Sequence, residues 1–144
     1  MAVRSHLQSG KATNVAIDFS PEGCEGRASA VFVDGVVRGG ILIISLYLFH
    51  TEGFSARIWL IVQAAGECVR RWGGAWVMAG DMNMTPQQFI LGAKQWLDKL
   101  QGTVKSPGVR TCTAGAVGRE LDYFIVDDRI AGGVRGVSVY PSDV

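Results

Sequence analysis

Apolar positions along the chain follow two rhythms. Residues 41–49, ILIISLYLF, are apolar almost throughout, which predicts a strand covered on both faces. Residues 28–34 (ASAVFVD), 75–80 (AWVMAG) and 121–127 (LDYFIVD) read as further strands, the last with an Asp at its start. Shorter candidates are 14–19 (NVAIDF), 109–114 (VRTCTA) and 134–140 (VRGVSVY). Over 56–72 the rhythm changes: Ile58, Ile61, Val62, Ala65 and Val69 recur at helical spacing. Ser55 is placed to cap that helix, Arg70 and Arg71 fall in its last turn and complement its dipole, and Gly73 and Gly74 stop it. A second helix is predicted over 86–100, with Thr85 as its cap and Pro86 at its first position. Phe89, Ile90, Ala93, Trp96, Leu97 and Leu100 share one of its faces.

Turn chemistry separates these segments. PEGCEG (21–26) carries a proline and two glycines, and Asp34-Gly35 between two strands is a hairpin signal. HTEGFS (50–55), QGTVKSPG (101–108) and AGAVGRE (114–120) read as loops and turns. Residues 1–13 are polar and read as a flexible N-terminal segment. Residues 14–144 read as one domain, an α/β sandwich.

Composition agrees and narrows the function classes. The chain has 144 residues, 48% hydrophobic and 19% charged, enough to bury a sizeable core. Its 14 basic and 13 acidic residues give a net charge of +1, so no strong non-specific pull toward nucleic acid or anionic membrane is expected. A local basic groove is compatible with that balance. Cys24, Cys68 and Cys112 are far apart and odd in number, which argues against a disulfide framework and a zinc site. The first residues contain no apolar leader, and the longest apolar run, 39–49, is too short to span a bilayer. An intracellular setting, with the nucleus as one option, and no membrane partner are the expectations.

The candidate chemistry lies in residues 75–86, AWVMAGDMNMTP. Asp81 and Asn83 follow a buried strand and precede a helix. Residues two apart on an extended backbone share a side, so both side chains would leave the strand end toward the crevice where α/β sheets hold ligands. A carboxylate there can bind a divalent cation or take a proton from water, and a neutral amide can donate to a phosphate oxygen. The alternative is that the pair only shapes a turn and caps the next helix, since Asp and Asn are common in turns.

Two further strings form an ordered set with this corner. Tyr47 ends a strand in ISLYLFHTEG, and Asp122 opens one in ELDYFIVDD. A strand ending in Tyr, a helix, a strand ending in GDxN and a strand opening with LDY resemble the second half of the endonuclease/exonuclease/phosphatase superfamily. That group includes apurinic-site endonucleases, DNase I-like enzymes, inositol phosphatases and retrotransposon endonucleases. The resemblance implies a partial four-layer DNase I-like α/β sandwich, with a mixed, mostly antiparallel sheet and two main helices. It implies that Asp81 orients or deprotonates the attacking water. Asn83 contacts the scissile phosphate and supports that aspartate, Tyr47 hydrogen-bonds the phosphate, and Asp122 pairs with a late histidine. His50, beside Tyr47, is a further candidate for touching a phosphate, or is simply solvated. Mg²⁺ or Mn²⁺ is the implied cofactor.

The sequence also departs from that pattern. The superfamily's first half, with its strand-borne Asn and metal-binding Glu, has no counterpart in residues 1–13, and Glu22 and Glu25 lie in a turn. The late Ser-Asp-His is matched only by Ser142 and Asp143, with Asp143 the candidate metal ligand and Val144 where the histidine would be. The expectation is a C-terminal portion with an uncovered apolar sheet face, completed by self-association or by a separate half. The implied activity is hydrolysis of phosphodiesters by activated water, with nucleic acid as the expected substrate. The alternatives are an inactive remnant or interaction module of the same fold, and an inositol-type phosphatase using Arg110 and Arg119.

Overall fold

The computed structural model describes residues 16–35, 37–107 and 121–134. Its strands are β1 (Ile17–Asp18), β2 (Ala28–Val33), β3 (Ile41–Tyr47), β4 (Ala75–Asp81), β5 (Gly102–Lys105) and β6 (Asp122–Asp127). They form one sheet in the order β1-β2-β3-β4-β6-β5. Only β3 and β4 pair in parallel, and the helix α1 (Ala56–Trp72) crosses between them. The remaining neighbours are antiparallel. This is the mixed, mostly antiparallel sheet expected from the resemblance.

One face of the sheet carries the core. Ala28, Ala30, Phe32, Leu42, Ile44, Leu46, Trp76, Met78, Tyr123 and Ile125 are buried on it. They belong to one apolar cluster with Ile58, Ile61, Val62, Ala65 and Val69 of α1, and with Phe89 and Leu97. Each fully buried Leu, Ile or Phe is worth about 2 kcal/mol, so this face holds the sheet together. α1 matches the periodicity: Ser55 Oγ accepts from the Ile58 N–H, and Gly73 closes the helix in the left-handed conformation. Cys24 and Cys68 are free thiols, both buried.

The opposite face is more open, which corrects the expectation that β3 is covered on both sides. Leu42, Ile44 and Leu46 are buried, but Ser45 and Tyr47 are exposed. Buried residues of the helices over 56–72, 86–92 and 94–100 join the core cluster on the first face. Tyr47 is 49% exposed and Phe124 38% exposed.

Three more expectations change. The single helix over 86–100 is two, α2 (Pro86–Gly92) and α3 (Lys94–Leu100), broken at Ala93 with φ −112° and ψ 22°. The break follows Gly92, where a Cβ would sit 2.3 Å from the Phe54 ring, so a loop aromatic packs against bare backbone there. Ile90 is exposed rather than facing the core, because the buried stripe runs Pro86, Phe89, Ala93 and Leu97. QGTVKSPG contains β5, an edge strand formed by pairing with β6. A last short helix, α4 (Asp128–Ala131), follows β6. The strand predicted at 109–114, and all of 134–140 except Val134, lie outside the described residues. Among the described residues, no helix is long and apolar enough to cross a membrane.

Candidate active site

The sheet register brings the dispersed motifs into one row. Tyr47 at the end of β3 pairs with Asp81 at the end of β4, and Asp81 pairs with Asp122 at the start of β6. Paired residues project from the same face, so all three side chains lie on the open side of the sheet, at one end of its central strands.

Gly80 makes the close approach possible. It has φ +146°, and a Cβ there would lie 1.9 Å from the Leu46 carbonyl oxygen. No other residue type fits between β3 and β4 at that point. Beyond it the chain is stitched to both neighbours. The Leu48 N–H donates to the Asp81 carbonyl at 2.9 Å, and the Met82 N–H donates to the Leu121 carbonyl at 2.8 Å. Met82 and Met84 turn into the core, and Tyr123 Oη donates to the Met84 carbonyl at 2.9 Å. The alternation in DMNM therefore sends the methionines inward and leaves Asp81 and Asn83 on the other side.

Asn83 takes a left-handed conformation, φ 50°, which Asn tolerates better than most residues. Its N–H donates to Asp81 Oδ1 at 3.0 Å, an Asx turn that fixes the carboxylate. Its Nδ2 donates to the Leu48 carbonyl at 2.7 Å, so the amide braces the exits of β3 and β4. Its Oδ1 lies 3.4 Å from His50 Nδ1. Neither Asp81 nor Asn83 caps the following helix. Thr85 does, in a reciprocal capping box with Gln88.

Burial raises the Asp81 carboxyl above its ordinary value of 3.8. The Asn83 N–H pulls it down, the Asp122 carboxylate opposite adds to the rise, and His50 lowers it. The Tyr47 ring carries the Arg27 guanidinium 4.3 Å from its centroid. The structure thus gathers Tyr47, His50, Asp81, Asn83 and Asp122. Asp143, Arg110 and Arg119 lie outside the described residues. Among the described residues, no three His, Cys, Asp or Glu side chains are grouped to hold a metal ion.

Sequence reasoning missed the cations at this end. Arg27 also lies 3.9 Å from the Phe49 ring centroid, and Arg57 lies 3.5 Å from the same centroid. The signal was the alternation of aromatics at 47 and 49, which puts both rings on one side of an extended segment.

No protein-family model and no curated protein sequence matches the chain. Solved structures do. Cytolethal distending toxin from Actinobacillus actinomycetemcomitans is 17% identical with a TM-score of 0.54, over 70% of this chain and 38% of that one. Cytolethal distending toxin from Haemophilus ducreyi is 18% identical with a TM-score of 0.56, over 79% and 43%. CdtB, the biologically active subunit of cytolethal distending toxin, is 16% identical with a TM-score of 0.58, over 84% and 46%. The chain therefore spans less than half the length of these structures, and identity this low speaks for the fold alone. The present chain shares the fold of these structures, a DNase I-like α/β fold.

Proposed function

We propose that this chain is the catalytic portion of a phosphodiesterase that cleaves nucleic acid with an activated water. The observation that carries the reading is the single row of Tyr47, Asp81 and Asp122 on the open face of the sheet. In this reading Asp81 accepts a proton from water as the water oxygen attacks phosphorus. The bond from phosphorus to the leaving oxygen breaks, and solvent protonates that oxygen. Asp81 suits a base: one oxygen is fixed by the Asn83 N–H, and burial raises its carboxyl from its ordinary value. Tyr47, half exposed, presents its hydroxyl to a non-bridging phosphate oxygen. Asn83 acts mainly as a positioning residue, since its amide already donates to Leu48.

Mg²⁺ or Mn²⁺ belongs to this proposal through the resemblance. The described residues do not themselves form a site for it, so no step is drawn through a metal. The open face, with Phe124 and Tyr47 on it, favours a partner chain laid against the sheet, either a second copy or a separate half-domain.

The test is nicking of supercoiled plasmid by the purified chain with Mg²⁺, with Mn²⁺ and with chelator, beside Asp81→Ala. The expected result is metal-dependent nicking that falls at least about 100-fold in Asp81→Ala. Absence of nicking from a folded preparation, at concentrations where sedimentation shows its association state, would overturn the enzymatic reading. The chain would then be a non-catalytic domain of the same fold.

A further inference from the structure

Resting on that reading, we propose that Arg27, Phe49 and Arg57 form the track along which a nucleic-acid strand lies as its scissile phosphodiester reaches Tyr47 and Asp81. Arg57 sits in the first turn of α1 and Arg27 just before β2, and their guanidinium carbons lie 3.5 Å and 3.9 Å from the centroid of the Phe49 ring. Arg27 also reaches over Tyr47, 4.3 Å from its centroid. Tyr47 is registered opposite Asp81. Cation and ring therefore alternate without interruption from α1 to the catalytic row.

The charge at this track is not balanced. Glu52 pairs with Arg57, and Arg57 with Ser55 holds its carboxyl down at about 2. Arg27 makes no ion pair among the described residues. Two guanidiniums thus share one ring and one carboxylate. The ring face attracts both guanidiniums, and the single carboxylate leaves a net positive charge there for a phosphate to meet. Arg57 already donates from Nε and Nη2 to Glu52, so Arg27 is the guanidinium whose N–H groups can turn to a phosphate through two hydrogen bonds. Successive phosphates beside a half-exposed Tyr47 ring, on which a base can stack, describe a nucleic-acid strand better than a small phosphoester. The bland alternative is that the stack only ties the start of β2 to the loop after β3.

Binding separates these readings. Anisotropy of a fluorescein-labelled single-stranded oligonucleotide and of its duplex is followed against salt, with chelator present so that nothing is cleaved. The variants are Arg27→Gln, Arg27→Lys and Arg57→Gln, with Arg71→Gln in the last turn of α1, at the other end of that helix, as control. Thermal melting selects the folded variants, and Arg27→Lys and Arg57→Gln carry the test if Arg27→Gln does not fold. Arg27→Gln is expected to weaken binding about tenfold and to reduce the slope of log affinity against log salt by about 1. Arg27→Lys should restore the slope but not the full affinity, because an ammonium neither stacks nor forks. Arg71→Gln should bind as the parent does. Equal binding and equal slope in all variants would overturn the track and leave a packing staple. Absence of binding by the parent chain would overturn it as well. Hydrolysis of bis(p-nitrophenyl) phosphate then distinguishes the failures: turnover lost in Asp81→Ala keeps the hydrolytic site, and no turnover removes both.

Discussion

Asp81 closes β4 and Asp127 closes β6, at opposite ends of one antiparallel ladder. Asp127 is 2% exposed and fully clamped. The Arg129 N–H donates to its Oδ1 at 3.0 Å, and Nη2 of the same arginine donates to its Oδ2 at 2.7 Å. That Nη2 also reaches the Gly74 carbonyl, just before β4. At the other end Asp81 has one backbone donor and faces the carboxylate of Asp122. One end of the ladder neutralises its carboxylate and locks the strands. The other leaves a carboxylate raised by burial beside a like charge, an arrangement that costs stability and is useful only if something binds or reacts there.

The largest way to break the site end does not touch its chemistry. Gly80→Ala would drive a methyl into the Leu46 carbonyl, at a φ that L residues rarely adopt. A loss of about 3 kcal/mol or more is expected in urea unfolding. A loss below about 1 kcal/mol would mean that the β3–β4 contact is looser than described. Next comes the clamp. Asp127→Ala should cost about 2 kcal/mol, since it removes a buried acceptor and its charge-assisted bonds while Arg129, more than half exposed, turns to water. If the two ends are independent, the effect on unfolding should add to that of a site substitution within about 0.5 kcal/mol. Strong non-additivity would show that the ladder couples them.

The same contrast shows what a linear reading can reach. The site residues stand in short strings, GDMN, LDY and SLY, and each string sits at a strand end that the apolar rhythm marks. The strand–helix–strand order therefore placed the corner before any coordinate was needed. What was not legible depends on pairing across long sequence distances. The amide of Asn83 is bound to Leu48, 35 residues away, which makes it a brace as much as a phosphate ligand. β5 is only four residues long and is a strand because β6 lies beside it. The break at Ala93 follows from Phe54 packing on Gly92, and no local propensity announces that contact. Arg27 and Arg57 are 30 residues apart in sequence, and only the folded chain brings both to the Phe49 ring.

The smallest effect sharpens the comparison most, because its sign is unusual. A carboxyl raised in the folded state binds its proton more tightly there than in the unfolded chain. That contribution is fully present below the unfolded value, near 3.8, and is lost as pH rises through the folded value. At pH 7 the parent chain therefore carries Asp81 as a liability. Asp81→Asn removes the charge, keeps an oxygen to accept from the Asn83 N–H, and relieves the push from Asp122. The variant should be more stable than the parent at pH 7, by less than the cost of Asp127→Ala. The gain should shrink toward zero near pH 3, where Asp81 is protonated in both states. Denaturant midpoints at the two pH values measure this directly. Asp127→Asn should shift the other way, because it exchanges a charge-assisted clamp for a weaker neutral one. If Asp81→Asn instead loses stability at pH 7, then Asp81 is an ordinary structural aspartate, and the two ends of the ladder differ in shape but not in purpose.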